Sequence, residues 1–120
     1  MGYLLADRIK QTSTSTGTGD FLLDGSVTGY RRFRDVLAVG DTTSYCITDG
    51  VDWEVGVCQI VSYGTYPDST ISRWKIIASS NSNNAVNWGA GTKEVFITAP
   101  ARRLPGNGRA FAFAASRYNA

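Results

Sequence analysis

The stretch from residue 43 to residue 61 alternates apolar and polar side chains on both sides of an Asp49-Gly50 turn signal. A period of two is typical of a β-strand with one buried face, and Asp-Gly between two such runs is typical of a hairpin. This pattern predicts an antiparallel β-sheet rather than a helical bundle. The apolar residues all have odd numbers and are Tyr45, Ile47, Val51, Trp53, Val55 and Val57.

The register of this hairpin follows from the same pattern. The apolar residues of both arms share one face only if Ile47 lies opposite Val51, because a shift of one residue turns a whole strand over. We therefore predict a three-residue loop, Thr48-Asp49-Gly50, with Gly50 left-handed in a G1 bulge.

The rest of the chain repeats short strand signals separated by turns. Strand signals occur at residues 21–23, 70–80 and 92–99. One helix is expected, over about residues 30–38, where one helical face would carry Tyr30, Phe33 and Leu37. We predict an all-β fold, a small antiparallel β-sandwich or barrel-like module with at most one short helix. This module spans residues 1–101, and an extended C-terminal arm spans residues 102–120.

Charge and composition argue against several classes of protein. The chain has 12 basic and 10 acidic residues and a net charge of +2, too balanced for a typical nucleic-acid binder. It has no histidine, which removes His-based catalysis and imidazole metal sites. Asp52 and Glu54 share the polar face of the hairpin, where we expect them to be solvated rather than catalytic. We expect no enzymatic activity, no cofactor, no metal, and no nucleic-acid or membrane partner.

Cys46 and Cys58 project from that same polar face in the predicted register. They stand about six strand positions apart, roughly 20 Å, which is too far for a disulfide within one hairpin. Two interpretations stay open: two free thiols, or an intersubunit disulfide in an extracellular particle.

The three tryptophans are candidates for either the core or a ligand-stacking surface. Trp53 and Trp74 lie on predicted strands, where the core is the default position. Trp88 lies in the polar loop of residues 81–91 and is the best candidate for exposure. An exposed Trp88 would contact glycan in a carbohydrate-binding module, the alternative function. A loop tryptophan more commonly folds back over the sheet as a plug, so a buried Trp88 is the outcome we favour.

Residues 102–120 are basic and aromatic, with four arginines and no acidic residue. Phe111 and Phe113 alternate with alanines after a break at residues 105–108 (PGNG). This segment is either a last strand of the domain or an arm that docks onto another subunit by adding a strand, and we favour the arm. The residues expected to contact a partner are Arg102, Arg103, Leu104, Arg109, Phe111, Phe113, Arg117 and Tyr118.

Several short segments, taken in order, resemble the small β-rich modules of tailed-bacteriophage structural proteins. They are ADRIK (6–10) leading into TSTSTGTG (12–19), VTGYR (27–31), GDTT (40–43), DGVDWEVG (49–56) and ASSNSNNAVNWGAGTKEVFITAP (78–100). The resemblance covers most of residues 5–100, includes no catalytic motif, and stops before the arm.

The resemblance implies a virion protein made in the host cytoplasm. Such modules occur in head decoration proteins, head fibres and tail fibres. The short chain fits a surface decoration or cement protein, a spike base or a fibre-anchoring adaptor better than a complete fibre. The implied partners are capsid or tail and fibre subunits, together with other copies of the chain, with a trimer favoured.

Overall fold

The computed structural model describes residues 2–101 of the protein. Six strands form one antiparallel sheet in the order β1-β6-β3-β4-β5-β2. The strands are β1 (Lys10–Ser13), β2 (Phe21–Leu23), β3 (Thr42–Thr48), β4 (Trp53–Tyr63), β5 (Ser69–Ser79) and β6 (Lys93–Ile97). The predicted all-β fold is confirmed, and the predicted strands at 21–23, 70–80 and 92–99 match β2, β5 and β6 closely.

The two edge strands, β1 and β2, approach each other and nearly close the sheet into a barrel. The backbone N–H of Asp24 donates to the carbonyl of Thr12 at 2.8 Å. The Ser13 hydroxyl donates to the carbonyl of Leu22 at 2.7 Å. These bonds satisfy part of the edge where a sheet would otherwise expose unpaired backbone groups.

The hairpin between β3 and β4 forms, but its predicted register is wrong. Thr48 lies opposite Trp53, so the loop has four residues, Asp49 to Asp52, instead of three. The Asp49 carboxylate explains the longer loop, because it accepts the backbone N–H groups of Val51 at 2.9 Å and Asp52 at 2.8 Å. Gly50 has the predicted left-handed conformation, with φ of 97°.

This register turns β4 over relative to the prediction. The predicted apolar face is therefore divided between the two sides of the sheet. Tyr45 and Ile47 of β3 point into the barrel beside the β4 residues Glu54, Gly56 and Cys58. The outer side of β4 carries Trp53, Val55 and Val57, and Val51 is exposed in the loop.

The predicted helix over about residues 30–38 is a single 3₁₀ turn, Phe33–Asp35. Its start is fixed by the Asp35 carboxylate, which accepts the backbone N–H of Arg32 at 2.8 Å. Phe33 and Leu37 are buried in the core as the helical pattern suggested, but a short capped turn is enough to place them. No helix within residues 2–101 has the length and apolar character needed to cross a membrane.

Candidate functional site

The inside of the barrel contains a buried carboxylate paired with a buried guanidinium. Glu54 on β4 and Arg73 on β5 have side chains that are 0% and 1% exposed. The Glu54 carboxylate accepts hydrogen bonds from Arg73 Nη2, from Arg73 Nε at 2.8 Å, and from the Tyr45 hydroxyl at 2.5 Å. It also accepts the backbone N–H of Val86 at 2.9 Å. Burial, followed by the nearby Glu54 charge, raises the pKa of Tyr45, so its hydroxyl stays a donor.

The Arg73 guanidinium uses all five of its N–H groups inside the protein. Besides the two bonds to Glu54, Nη2 donates to the carbonyl of Val86 at 2.8 Å. Nη1 donates to the carbonyls of Gly17 at 3.1 Å and Gly19 at 3.2 Å. The pair therefore ties β3, β4 and β5 to the two polar loops at one end of the barrel. We call Glu54, Arg73 and Tyr45 the buried polar network.

The expectation that Glu54 is a solvated neighbour of Asp52 is wrong. Asp52 is exposed in the loop, whereas Glu54 lies inside, because the observed partner of Ile47 is Glu54 instead of Val51, a shift of three residues that turns β4 over. A catalytic carboxylate must reach a substrate, but the oxygens of Glu54 are occupied by protein donors. The arrangement is suited to holding strands and loops together.

A second polar group, Gln11, is buried at the other side of the barrel. Its amide nitrogen donates to Asp68 at 2.9 Å and to the carbonyl of Asp24, and its oxygen accepts the backbone N–H of Phe33 at 2.9 Å. Arg32 lies against Asp68 at 3.0 Å. This group joins β1 to the 3₁₀ turn and to the start of β5.

Lys93 on β6 is also buried and donates from Nζ to the carbonyls of Ser15, at 2.8 Å, and Gly89. Burial lowers the pKa of Lys93 from its ordinary value. Both carbonyls belong to the loops that Arg73 also holds, so Lys93 reinforces the same end of the barrel. Within residues 2–101, no cluster of three or more acidic or cysteine side chains is placed to hold a metal ion.

Two of the three tryptophans, Trp53 and Trp74, lie outside the core where the sequence placed them inside, whereas Trp88 has the buried position that was expected to be commoner. Trp88 is 3% exposed and packs edge-to-face on Phe21, with ring centroids 6.2 Å apart. It is the plug over the barrel end, so it cannot stack on a glycan. Trp53 and Trp74 are 40% and 65% exposed on the outer side. Trp53 is outside because of the register shift, and Trp74 sits at a β-bulge between β4 and β5.

The outer side of the sheet has a continuous apolar row. Phe96, Cys46, Val55 and Ala78 lie opposite one another across β6, β3, β4 and β5. Next to this row, a groove of about 370 Å³ runs between the sheet and the segment that follows β6. The groove is lined by Val55, Ile77, Ala78, Thr98, Ala99, Pro100 and Ala101. We call this lining the outer groove, and no charged residue contributes to it.

The position of the outer groove relates it to the predicted arm. Ala101, one of its walls, is the last residue described and directly precedes Arg102. The eight predicted partner-contacting residues, Arg102 to Tyr118, lie outside the described residues. The outer groove could not be predicted from the sequence, because the residues that line it, such as Ile77 and Ala78, have the pattern of an ordinary strand.

The cysteines lie on opposite faces of the sheet, not on one shared face. Both are free thiols; Cys58 is buried in the core, and Cys46 is half-buried on the outer side. An intersubunit disulfide through Cys58 would require the barrel to open, because the Cys58 thiol is buried and not exposed to a neighbouring subunit as predicted.

Thiol labelling of the folded protein is expected to separate the two cysteines. Burial raises the pKa of Cys58 to about 12, and burial with the Glu54 charge raises that of Cys46 to about 11. Because the thiolate is the reactive form, Cys46 should react slowly and Cys58 much more slowly. Cys46→Ser and Cys58→Ser variants assign the two rates, and both thiols should react at once in denaturant. Equal rates in the folded protein would contradict this placement.

Comparisons with protein-family models, with curated proteins and with solved structures found no match. The functional conclusion therefore comes from the geometry of the chain and from the resemblance of its segments.

Proposed function

We propose that this chain is a non-enzymatic structural protein of a tailed-bacteriophage virion. It lies on the particle surface as a decoration or cement protein, a spike base or a fibre-anchoring adaptor. Its partners are capsid or tail and fibre subunits and other copies of itself.

The observation that carries this proposal is the uncharged outer groove at the point where the chain continues into the arm. An exposed apolar surface on a small protein is typical of an interaction site. In the sequence, the wall of the groove at Ala101 leads directly into the arm. The arm contains the apolar residues Leu104, Phe111 and Phe113, which a partner can bury. Such a surface fits association with another protein better than turnover of a small polar substrate.

The polar interior of the barrel also supports a structural role. Glu54 and Arg73 bond to each other and to nearby loops, and Gln11 bonds to Asp68 and the 3₁₀ turn, instead of lining an open cleft. These bonds add rigidity to that of the apolar core. A rigid barrel with an apolar outer surface is a suitable building block for a particle.

The four arginines of the arm add a charge preference for the partner. No acidic residue occurs in residues 102–120, so the arm is complementary to an acidic surface on a capsid or tail protein. Burial of Phe111, Phe113 and Leu104 would supply most of the binding free energy, and the arginines would orient the arm.

Deletion of residues 102–120 is expected to abolish incorporation of the protein into particles while leaving the barrel folded. The measurement is the copy number in purified phage particles, by quantitative mass spectrometry. A matched control replaces residues 102–120 with a Gly/Ser segment of equal length, which separates the chemistry of the arm from its length. Incorporation of the truncated chain at the wild-type copy number would overturn the proposal.

A further inference from the structure

Strand β5 has an open edge. It contains eleven residues and pairs with β4 along most of its length, but on its other side β2 pairs only with Ser69, Thr70 and Ile71. No strand within the described part of the chain lies beside residues 72–79 on that side. The backbone of Ser79 is bonded to Asn83 in the following turn, so the open edge is residues 72–78. Backbone N–H and C=O groups at such an edge form a template for one more strand.

The surface beside this edge is apolar. Trp74 is largely exposed there, and Ile77 and Ala78 form walls of the outer groove. Arg73 points into the barrel, so Lys75 is the one charged side chain that residues 72–79 expose. A strand added here would gain both backbone hydrogen bonds and contact for apolar side chains on alternate positions.

The arm contains a segment with the matching pattern. Residues 110–114 read AFAFA, so Phe111 and Phe113 project to one side and alanines to the other when the segment is extended. The segment has no charge and no proline that would prevent it from joining a sheet. Eight residues, 102–109, separate it from Ala101 and can span at most about 28 Å when extended.

We propose that the open edge of β5, residues 72–78, accepts residues 110–114 of a second copy of this chain as an added strand. Phe111 and Phe113 then pack on the outer surface beside Trp74. This inference rests on the proposed function, because it names the surface that receives the arm.

The contact joins two different surfaces, the edge of one copy and the arm of the next. A contact of this heterologous type repeats from copy to copy and closes into a ring when the rotation between copies allows it. Where the ring closes, the contact produces a symmetric homo-oligomer without requiring a two-fold axis. The first contact leaves one free arm and one free edge, which remain available for further copies or for another virion protein.

The test measures self-association of the full chain by sedimentation velocity over a range of concentrations. The arm variant is Phe111→Glu with Phe113→Glu, and the edge variant is Trp74→Glu, a change at an exposed side chain that the barrel should tolerate. Each is expected to weaken association about tenfold or more, since each removes burial of a large aromatic group. The matched control is Val61→Glu, an exposed apolar residue on β4 outside the groove, which should associate like the wild type.

Mixing the arm variant with the edge variant decides which chain supplies the strand. The edge variant has an intact arm and the arm variant an intact edge, so a mixture should form a 1:1 heterodimer at a concentration where each variant alone is monomeric. A wild-type chain that stays monomeric at every concentration overturns the inference. So does a mixture that forms no heterodimer, which would mean that the arm folds onto its own barrel. Far-UV circular dichroism confirms that each variant is folded.

The two proposals fail in different ways. A chain that self-associates through this edge but never enters particles would overturn the virion function and leave the strand addition standing. A chain that enters particles through its arm without self-association would overturn only the strand addition.

Discussion

Replacement of Arg73 by methionine is expected to lower the free energy of unfolding by about 3–5 kcal/mol, because it leaves the buried Glu54 carboxylate without its cation. Methionine keeps much of the side-chain length, so loss of charge and hydrogen bonds dominates over loss of packing. The change also removes the Arg73 hydrogen bonds to the carbonyls of Gly17, Gly19 and Val86, of which Gly17 keeps the backbone N–H of Trp88. For a domain of about 100 residues, a loss of this size lowers Tm by roughly 12 °C or more.

Urea denaturation of the full chain, followed by tryptophan fluorescence, measures this effect. The matched control is Arg31→Met. Within residues 2–101, the exposed guanidinium of Arg31 donates to the backbone carbonyl of Asp7, and its loss should cost about 1 kcal/mol or less. The double variant Glu54→Leu with Arg73→Met should lose less than the sum of the two single variants, since the single changes each leave an unpaired buried charge. An Arg73→Met protein as stable as the control would show that the buried polar network does not determine stability.

The all-β class and most strand positions could be predicted from the sequence, because alternation and turn residues are local signals. The arrangement of residues inside the barrel could not be predicted in this way. Its polar residues Glu54 and Arg73 look like surface residues in one dimension, and only their mutual pairing across β4 and β5 makes burial favourable. The prediction assumed that every interior position is apolar, so it placed Ile47 opposite Val51 and turned β4 over.

The burial of the tryptophans likewise depends on contacts that local sequence does not reveal. Trp88 lies among asparagines and glycines, and its burial depends on Phe21 and on the loop of Gly17, which are distant in sequence. Trp74 is exposed because a β-bulge changes the alternation along β5, and the residues around it give no clear signal for that bulge. The outer groove was missed for a related reason, since it forms only where the segment after β6 passes over β4 and β5.

Gly56→Ala is expected to destabilise the barrel by about 1–3 kcal/mol, although the sequence alone suggests the opposite sign. A glycine inside a strand is ordinarily less favourable than alanine by about 0.5–1 kcal/mol, so the substitution would be stabilising if there were room for a methyl group. Gly56 has no left-handed backbone that would forbid alanine. Its role comes from the packing of β4 against its neighbours.

A Cβ atom at Gly56 would lie 2.2 Å from the backbone carbonyl oxygen of Lys75 and 3.1 Å from the Tyr45 ring and hydroxyl. Because the first contact is with backbone, β4 and β5 would have to separate, and Tyr45 would move away from Glu54. The matched control is Gly25→Ala, where a Cβ meets nothing within 4 Å and the expected change is neutral or slightly stabilising. Urea denaturation compares the two variants, and a stabilised Gly56→Ala protein would mean that β4 and β5 do not approach as closely as the structure places them.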